Sequence, residues 1–494
     1  MSDTLFPFFN SNSDKVALVE GENKHTYSEV NDRINLFSSG ILGAKEDLNE
    51  ERIAFFLPAS LDYVTTMHGV WRAGGIAVPL NVASAVSELD HYLTCAKVTR
   101  LIAGTQYHDS LKGLCNSLKI ELLSVSDVMA EEPRALPLIN PERRAMMLFT
   151  SGTTNKPKGV VSTHKTICAQ ITTLITAWEW SEKDVIPLFL PLHHIHGIIN
   201  ILSCGLWAGA TVHLFSKFDI PKISKQITHG TYNVFMAVPT IYVKLIQYFE
   251  TIEKDEVEKI CAGFSAMRLN ISGSAACPVK LFEQWKELTG QILLERYGMT
   301  EIGMGISNPY NGERRAGAVG QPLPGVQCQL FDENDNVVER DSEPGEIRIK
   351  GDNVFLEYWE NEEATKSSFK DGWFCTGDVA VVEQGYYRIM GRSSVDIIKS
   401  GGYKLSALEI EGVLLTHDSI SEVAVIGVED DIWGEAVTAF VALKEGTALE
   451  FDSLKSWCEG RMSSYKIPKH LKLVDALPRN AMGKVTKPSL KELL

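Results

Sequence analysis

The chain has 494 residues, which is too long for one compact core and predicts a division into domains. Its composition is typical of a globular protein, and its formal net charge of −15 argues against binding of nucleic acid or of an anionic membrane over the whole surface. Residues 461–491 are basic, but they also carry apolar residues and prolines, which favours a folded module with a pocket for an anionic substrate over a nucleic-acid tail.

Strands and helices alternate along the first part of the chain. Apolar runs predict strands at 16–19, 52–56, 76–79 and 101–103, and amphipathic patterns predict the helices between them. Ser28 is the predicted N-terminal cap of the first helix, because Glu29 follows it directly. This alternation indicates an α/β fold with a parallel sheet.

The most informative stretch is residues 150–159, Thr-Ser-Gly-Thr-Thr-Asn-Lys-Pro-Lys-Gly. It follows a predicted strand at 145–149 and precedes a predicted helix at 163–180. Free backbone N–H groups, hydroxyls and lysines suit a phosphate, although the spacing is not that of a Walker A loop. Two interpretations stay open at this point: another kind of phosphate loop, or a polar surface loop.

Further apolar runs end in polar loops that contain glycine. These runs are 188–190, which leads into residues 191–197, then 234–238, 269–271 and 292–294. The last of them is followed by Glu-Arg-Tyr-Gly-Met-Thr-Glu. In parallel sheets, ligands bind beyond the carboxyl ends of the strands, so these loops predict one ligand site. Residues 197–215 are nearly uncharged but are interrupted by glycines and polar residues, which favours a buried helix and a strand at 211–215 over a membrane span.

From about residue 317 the pattern changes to alternating strands and acidic turns, which predicts an antiparallel β subdomain over 317–392. Residues 395–494 predict a small α+β domain, with strands at 423–428 and 439–443 and a helix at 451–462. The predicted architecture is therefore α/β. A large N-terminal domain (1–392) has parallel α/β sheets and the β subdomain, and a small α+β domain (395–494) follows a hinge near 393–395.

The cysteines and the N-terminus bear on the compartment. Nine cysteines lie scattered without paired spacing, which is typical of reduced thiols in a cytosolic protein, and no His or Cys cluster has metal-ligand spacing. The N-terminus lacks the basic and apolar regions of a secretory signal. We therefore expect a cytoplasmic protein without a membrane span, as a monomer or a homodimer.

Eight motifs in register resemble the acyl-adenylate-forming (AMP-binding) superfamily of acyl-CoA synthetases, luciferases and peptide-synthetase adenylation domains, and the resemblance covers nearly the whole chain. The motifs are residues 150–159, 191–197, 272–275, 297–301, 376–378, 391–392, 400–403 and 478–484. The resemblance implies two steps. A carboxylate attacks the α-phosphorus of ATP to form an acyl-adenylate and pyrophosphate, and the CoA thiol then displaces AMP.

The resemblance also implies roles for particular residues. The implied catalytic residues are Lys484, Thr300, Glu301 and His194, with Glu301 as the ligand of Mg²⁺. The residues implied to bind ATP or AMP are Thr150, Ser151, Gly152, Thr153, Thr154, Lys158, Gly273, Ser274, Ala275, Tyr297, Gly298, Met299, Asp378 and Arg392. Those on the CoA side are Lys399, Ser400, Gly401, Gly402 and Tyr403.

The family rotates its small domain between the two steps, about a residue that corresponds to Ser394. Lys484 then leaves the site and the 400–403 loop faces it. The sequence departs from the usual family pattern at Asn155, His193 and Ser394. Acetylation of Lys484 would remove its charge and stop adenylation, which is a hypothesis about regulation.

Arg296 is the residue that bears on the acid substrate. Members that take plain fatty or aryl acids usually have a small residue here, whereas a guanidinium suits a second carboxylate. Residues 191–197, 295–301, 315–320 and 393–404 resemble the malonyl-CoA synthetases of the superfamily. The resemblance predicts malonate, with methylmalonate as a second candidate, and His196 and Ser274 are expected to help bind the distal carboxylate.

Other interpretations stay open on the sequence. Arg296 would form only a structural ion pair with Glu295 or Glu301 in a ligase for medium-chain fatty or aryl acids. The acyl-adenylate would go elsewhere in a luciferase-like oxygenase or a carrier-protein ligase. A non-catalytic nucleotide-binding protein would also retain the fold, although the presence of Lys484 and Glu301 argues against it.

Overall fold

The computed structural model describes residues 6, 9, 13–150, 157–401, 403–479 and 485–494. By its internal contacts the chain forms two compact units. Unit 1 comprises residues 1–327 and 350–372, and unit 2 comprises residues 328–349 and 373–494. The hinge at 393–395 and the domain boundaries built on it stay predictions.

The strands of the described residues are, in chain order, β1 (Val16–Glu20), β2 (Asn23–Thr26), β3 (Arg52–Phe56), β4 (Ile76–Pro79), β5 (Arg100–Ala103), β6 (Glu121–Leu123), β7 (Arg144–Thr150), β8 (Lys158–Thr163), β9 (Val185–Leu188), β10 (Thr211–Leu214), β11 (Val234–Ala237), β12 (Leu269–Ser272), β13 (Leu294–Met299), β14 (Gly303–Ser307), β15 (Gln321–Pro322), β16 (Gln327–Phe331), β17 (Gly345–Lys350), β18 (Glu357–Tyr358), β19 (Phe369–Lys370), β20 (Trp373–Glu383), β21 (Tyr386–Arg392), β22 (Ile397–Ser400), β23 (Tyr403–Ser406), β24 (Ile420–Asp430), β25 (Gly434–Leu443) and β26 (His470–Leu473).

The α-helices are α1 (Tyr27–Leu42), α2 (Leu61–Arg72), α3 (Val86–Cys95), α4 (His108–Leu118), α5 (Val125–Val128), α6 (His164–Ala177), α7 (Cys204–Ala208), α8 (Ile220–Thr228), α9 (Pro239–Phe249), α10 (Lys254–Ser265), α11 (Val279–Thr289), α12 (Glu362–Ser367), α13 (Ala407–Leu414), α14 (Phe451–Cys458) and α15 (Lys487–Leu490). A π-helical segment spans His196–Ser203, and 3₁₀ turns span Thr105–Tyr107 and Lys491–Leu493. None of the helices in the described parts of the chain has the length and apolar character that crossing a membrane requires.

Unit 1 contains three sheets, in the orders β18-β8-β7-β4-β3-β5-β6, β2-β1-β10-β9 and β11-β12-β13-β14-β15. In the first sheet, β7, β4, β3, β5 and β6 run parallel, and their central strands are apolar runs because side chains on both faces are buried. In the third sheet, β11, β12 and β13 run parallel, and β13 then forms an antiparallel hairpin with β14. The predicted α/β architecture is confirmed.

Unit 2 contains two antiparallel arrangements. Strands β16, β17, β20 and β21 form one, in which the β20–β21 hairpin pairs Asp378 with Arg392. Strands β23, β22, β25 and β24 form the other, with β26 beside β25 in parallel and α13 and α14 packed on it. The α+β character predicted for the C-terminal part is confirmed, with α14 ending at Cys458 rather than at residue 462.

Three local predictions are wrong. The cap of α1 is Thr26, not Ser28, because Thr26 and Glu29 form a reciprocal capping box in which each side chain accepts from the other's backbone N–H. Strand β8 lies between β7 and the helix, so the predicted order of strand, loop and helix is wrong, although the helix itself lies where it was predicted. β8 is rich in β-branched residues and pairs with β7, and Thr163 then caps α6. The strand predicted just before residue 191 ends earlier, at Leu188.

Candidate active site

Arg296 is the central residue of the candidate acid-binding site in unit 1. Its position on β13 places the guanidinium inside the protein, where the residue is only 4% exposed. Burial lowers the pKa of the guanidinium to about 9, so it is still charged at neutral pH. Nη2 lies 3.4 Å from Oγ of Ser274, and Nε has no hydrogen-bond partner among the residues that the structure describes. A buried guanidinium without a carboxylate is costly in free energy and suits an anionic ligand.

The carboxylates next to Arg296 in sequence have other partners. The Glu295 carboxylate accepts a hydrogen bond from the backbone N–H of Gly317 at 3.0 Å, and the Glu301 carboxylate accepts one from the hydroxyl of Tyr358. Successive residues of a strand point to opposite faces, which separates the Glu295 and Arg296 side chains. Within the described residues no carboxylate lies within 4.0 Å of the Arg296 nitrogens. The structural ion pair considered for Arg296 is therefore not formed.

His196 and Ser274 complete this group. Nδ1 of His196 lies 3.1 Å from Oγ of Ser274, so the Ser274 hydroxyl lies between the imidazole and the guanidinium. Burial, followed by the charges of Arg296 and His194, lowers the pKa of His196 well below its ordinary value, and the imidazole is neutral. Its Nε2 is buried and has no hydrogen-bond partner in the described part of the chain. The structure thus brings together the three residues predicted for the distal carboxylate.

The loop that carries Ser274 follows β12. Gly273 is buried, whereas Ser274 and Ala275 are exposed. Ser274 has a φ of +67°, an uncommon conformation for a residue with a side chain. This conformation sets the position of the hydroxyl between His196 and Arg296.

Glu295 has its pKa raised to about 7, because burial disfavours the charged carboxylate. The backbone N–H groups of Gly317 and Cys277 act in the opposite direction. The carboxylate therefore joins two loops, one that follows Ala275 and one at residues 315–317. This contact of Glu295 with both loops could not be predicted from the sequence, since the partners are backbone N–H groups that no motif identifies.

A tyrosine connects the predicted magnesium ligand with a predicted phosphate-binding lysine. The hydroxyl of Tyr358 donates to Oε1 of Glu301 at 3.0 Å, and Nζ of Lys158 lies 5.1 Å from the centroid of the Tyr358 ring. The short strand β18 positions Tyr358 by pairing it with Val160 of β8. Tyr358 could not be predicted from the sequence, because only the pairing of β18 with β8 brings it to the site.

The remaining predicted nucleotide residues of unit 1 lie on two hairpins. Tyr297, Gly298 and Met299 pair with β14, and Thr300 lies in the turn between β13 and β14. Thr150 pairs with Lys158 at the ends of β7 and β8. Ser151, Gly152, Thr153 and Thr154, with Asn155, lie outside the described residues.

His194 lies against His193, with 4.1 Å between the ring centroids. Burial, followed by the charge of His194, lowers the pKa of His193 to about 3, which keeps that imidazole neutral. His194 also acts electrostatically on His196. The two predicted histidines, His194 and His196, thus belong to one group.

In unit 2, Asp378 and Arg392 are cross-strand partners. Nε of Arg392 lies 3.0 Å from Oδ1 of Asp378, and the aspartate is buried while the arginine is more exposed. The backbone N–H of Asp378 donates a hydrogen bond to Oγ1 of Thr376 at 3.1 Å. The pairing fixes the orientation of both side chains.

The residues predicted on the CoA side lie on the β22–β23 hairpin of unit 2. Nζ of Lys399 lies 3.1 Å from Glu333, and Ser400 is buried. Gly401 has a φ of +57°, and its N–H donates to the carbonyl of Trp433 at 2.8 Å. The exposed ring of Tyr403 stacks on Tyr465 at 4.5 Å. Gly402 and Lys484 lie outside the described residues.

Comparison with known proteins identifies the family. The model of the AMP-binding enzyme family matches residues 8–359, and the model of the AMP-binding enzyme C-terminal domain matches residues 409–484. The chain therefore belongs to the AMP-binding enzyme family, and the superfamily resemblance predicted from the sequence is confirmed.

Individual relatives are similar over nearly the whole chain. The mitochondrial malonate–CoA ligase ACSF3 of Mus musculus is 42% identical, covering 97% of this chain and 88% of that protein. The crystal structure of ATP-bound MatB from Rhodopseudomonas palustris has a TM-score of 0.89 and 32% identity, covering 100% and 99% of the two chains. The O-succinylbenzoate–CoA synthetase MenE of Bacillus subtilis, in complex with ATP and a magnesium ion, has a TM-score of 0.85 and 25% identity, covering 99% of each chain.

Proposed function

We propose that the chain is a malonate–CoA ligase, which converts malonate, ATP and CoA to malonyl-CoA, AMP and pyrophosphate through malonyl-adenylate. The observation that carries the proposal is the buried guanidinium of Arg296 beside Ser274 and His196, with which no carboxylate of the described residues forms an ion pair. The similarity to malonate–CoA ligase ACSF3 supports it. Methylmalonate is the second substrate we expect.

The distal carboxylate of malonate accounts for the three acid-binding residues. A carboxylate accepts hydrogen bonds from a guanidinium in a planar, bidentate geometry, and the unpartnered Nε of Arg296 offers a donor for this. Nε2 of the neutral His196 offers a second group. An apolar acyl tail in the same place would leave the guanidinium buried without a partner, and that desolvation cost selects against plain fatty acids.

The activation chemistry follows from the family. The carboxylate nearest the ATP attacks the α-phosphorus, and the thiol of CoA then displaces AMP from the anhydride. We propose that ATP or AMP is bound by Thr150, Ser151, Gly152, Thr153, Thr154, Lys158, Gly273, Ser274, Ala275, Tyr297, Gly298, Met299, Asp378 and Arg392. Thr300, Glu301, His194 and Lys484 are the proposed catalytic residues, and Lys399, Ser400, Gly401, Gly402 and Tyr403 are the residues proposed for CoA.

Magnesium fits Glu301. Its carboxylate is a hard oxygen ligand of the kind that Mg²⁺ takes together with phosphate oxygens, and the bond from Tyr358 holds it in place. A bound magnesium ion would compensate phosphate charge. The magnesium ion in the MenE structure supports this proposal.

We also propose that the protein works in a reducing compartment. The cysteines in the described residues are free thiols, which suits a reducing compartment. ACSF3 is named as mitochondrial, whereas the sequence predicts a cytoplasmic protein. Localisation of the tagged full-length chain by microscopy distinguishes the two.

The proposal is tested with the purified protein by ATP–pyrophosphate exchange in parallel with malonate, methylmalonate, acetate and octanoate, followed by addition of CoA. We expect exchange with malonate and formation of malonyl-CoA. Exchange with octanoate instead would indicate a fatty-acid ligase, and nucleotide binding without any exchange would indicate a non-catalytic protein.

The Arg296→Ala variant tests the residue itself. Loss of a charge-assisted pair predicts a rise in the malonate KM of about 100-fold, with little change in the ATP KM. Arg33→Ala is the matched control, because Arg33 forms a surface ion pair with Asp62 in the same unit. Unchanged malonate kinetics in Arg296→Ala would contradict the assignment of Arg296 to the distal carboxylate of malonate.

A further inference from the structure

Two contacts in unit 2 join the chain on either side of residues 480–484. Arg479 and Val485 form an antiparallel bridge, and the N–H of Thr486 donates to the carbonyl of Pro478 at 2.8 Å. Lys484 directly precedes Val485 in the sequence and lies outside the described residues. The residues that fix the flanking segments therefore bear on the lysine proposed for adenylation.

Lys487, which begins α15, is a buried cation between two carboxylates. Its side chain is 8% exposed, and Nζ lies 2.6 Å from Oδ1 of Asp396 and 2.7 Å from Oε1 of Glu411. Glu411 belongs to α13, and its Oε1 also accepts the backbone N–H of Val425 in β24. Burial raises the pKa of Glu411, against the opposing effect of Lys487.

Asp396 connects this cluster with the strand that ends in Arg392. Its Oδ2 accepts the backbone N–H of Arg392 at 3.0 Å, and its own N–H donates to the carbonyl of Arg392 at 2.8 Å. The Asp396 carbonyl accepts from Ala407, the first residue of α13. One aspartate thus joins Lys487, α13 and the segment that contains the predicted hinge.

Apolar packing holds the same C-terminal segment without help from the ion cluster. Leu490 is fully buried in a group with Leu477, Ile426 and Phe440, and Val485 packs against that group. Burial of such side chains stabilises the packing of this segment on β24 and β25, but it does not fix a precise orientation because the hydrophobic effect is not directional. The buried Lys487 and its two largely buried carboxylates lie at hydrogen-bonding distance, and such contacts fix an orientation because their energy depends on geometry.

We propose that Lys487 is a positioning residue for adenylation, which fixes the segment that directly follows Lys484 in the chain by binding Asp396 and Glu411. The inference rests on the proposed function, because it requires Lys484 to act in the first step. It assigns Lys487 no contact with substrate. Its effect falls on the adenylation step and not on transfer of the acyl group to CoA.

The test measures the two half-reactions separately in the full-length protein. Lys487→Met keeps the length and apolar stem of the side chain and removes the charge. We expect malonate-dependent ATP–pyrophosphate exchange to fall about 10- to 100-fold, the scale of a small misplacement of a reacting group. Formation of malonyl-CoA from supplied malonyl-adenylate and CoA should stay within about two-fold of wild type.

Two further variants separate positioning from stability. Arg388→Met removes an ion pair with Glu383 in the same unit, at 2.7 Å, and should leave both half-reactions unchanged. The triple variant Asp396→Asn/Lys487→Met/Glu411→Gln carries no buried charge in the cluster, so it should regain thermal stability over Lys487→Met while exchange stays low. It keeps the test decisive where Lys487→Met alone does not fold.

Each outcome has one meaning. Normal exchange in Lys487→Met or in the triple variant overturns the inference, and so does an equal loss of both half-reactions in these variants. A wild-type chain that shows no malonate-dependent exchange overturns the proposed function before any variant is compared. If the wild-type chain instead uses another of the acids tested, the half-reactions are measured with that acid and decide the role of Lys487 in the same way.

Discussion

Gly273 lies directly against the guanidinium of Arg296. A Cβ atom at Gly273 would stand 2.5 Å from Cζ and 2.6 Å from Nε of Arg296, far inside van der Waals contact. Both residues are buried, so the arginine has little space into which to retreat. The absence of a side chain at residue 273 is therefore a condition for the observed position of the guanidinium.

Gly273→Ala is expected to displace Arg296 and to raise the malonate KM by about ten-fold or more, with a smaller effect on the ATP KM. Steady-state kinetics with each substrate varied in turn measure this. Gly113→Ala is the control, because a Cβ there meets nothing within 4 Å in helix α4. An unchanged malonate KM in Gly273→Ala would mean that Arg296 does not bind the acid in this position.

Tyr358 provides a test of the magnesium assignment. Tyr358→Phe removes the hydroxyl that donates to Glu301 and keeps the ring that faces Lys158. A hydrogen bond to a charged group contributes about 1.5–3 kcal/mol, so we expect the ATP KM to rise about ten-fold or more, and the magnesium concentration for half-maximal rate to rise with it. The malonate KM should change little.

Tyr232→Phe is the matched control for Tyr358→Phe. Its hydroxyl lies 3.3 Å from Nδ1 of His213 in the same unit, and neither residue belongs to the proposed site. If Tyr358→Phe and Tyr232→Phe have the same ATP and magnesium dependence, Glu301 is not the magnesium ligand or does not depend on Tyr358.

Ser274 tests the connection between His196 and Arg296. Ser274→Ala keeps a side chain at the positive φ and removes only the hydroxyl that contacts both groups. We expect the malonate KM to rise by about ten-fold, the scale of one hydrogen bond to a charged group, with thermal stability nearly unchanged. Acetate, which has no second carboxylate, is the control substrate. An equal rise in the acetate KM would contradict a role of Ser274 in binding the distal carboxylate.

Much of the fold could be predicted because the strands of unit 1 are short apolar runs between polar loops. The predicted strands at 52–56 and 76–79 coincide with β3 and β4. The helix predicted at 163–180 corresponds to α6 (His164–Ala177), whereas the strand before it was not predicted. The run from Lys158 to Thr163 has its own β propensity and pairs with β7, so a strand stands between β7 and the helix.

The candidate site was predictable where a residue's chemistry is unusual for its position. A guanidinium at residue 296, next to Tyr297, indicated a second carboxylate. The structure buries that guanidinium, and no carboxylate of the described ranges forms an ion pair with it. Tyr358 and Glu295 were not predictable. Tyr358 reaches Glu301 through pairing of two strands far apart in the sequence, and Glu295 binds backbone N–H groups, which carry no sequence signal.

Glu295 predicts a particular dependence of stability on pH. Its pKa is raised to about 7 in the folded protein, against an ordinary value of 4.5. A carboxyl whose folded pKa is raised stabilises the fold fully below its unfolded pKa, and this contribution is lost as pH rises through the folded pKa. The free energy of unfolding therefore falls between about pH 4.5 and pH 7, by on the order of 3 kcal/mol in total.

Glu295→Gln should remove this dependence while keeping an acceptor for the N–H of Gly317. We expect the variant to gain stability relative to wild type as pH rises from about 5 to 8, by up to about 3 kcal/mol. Denaturant unfolding at several pH values measures the difference. Glu287→Gln, at an exposed position of α11, should show no such trend. If the wild-type and Glu295→Gln curves run parallel over this window, the carboxyl is charged throughout, and the two N–H donors then outweigh the burial that disfavours its charge.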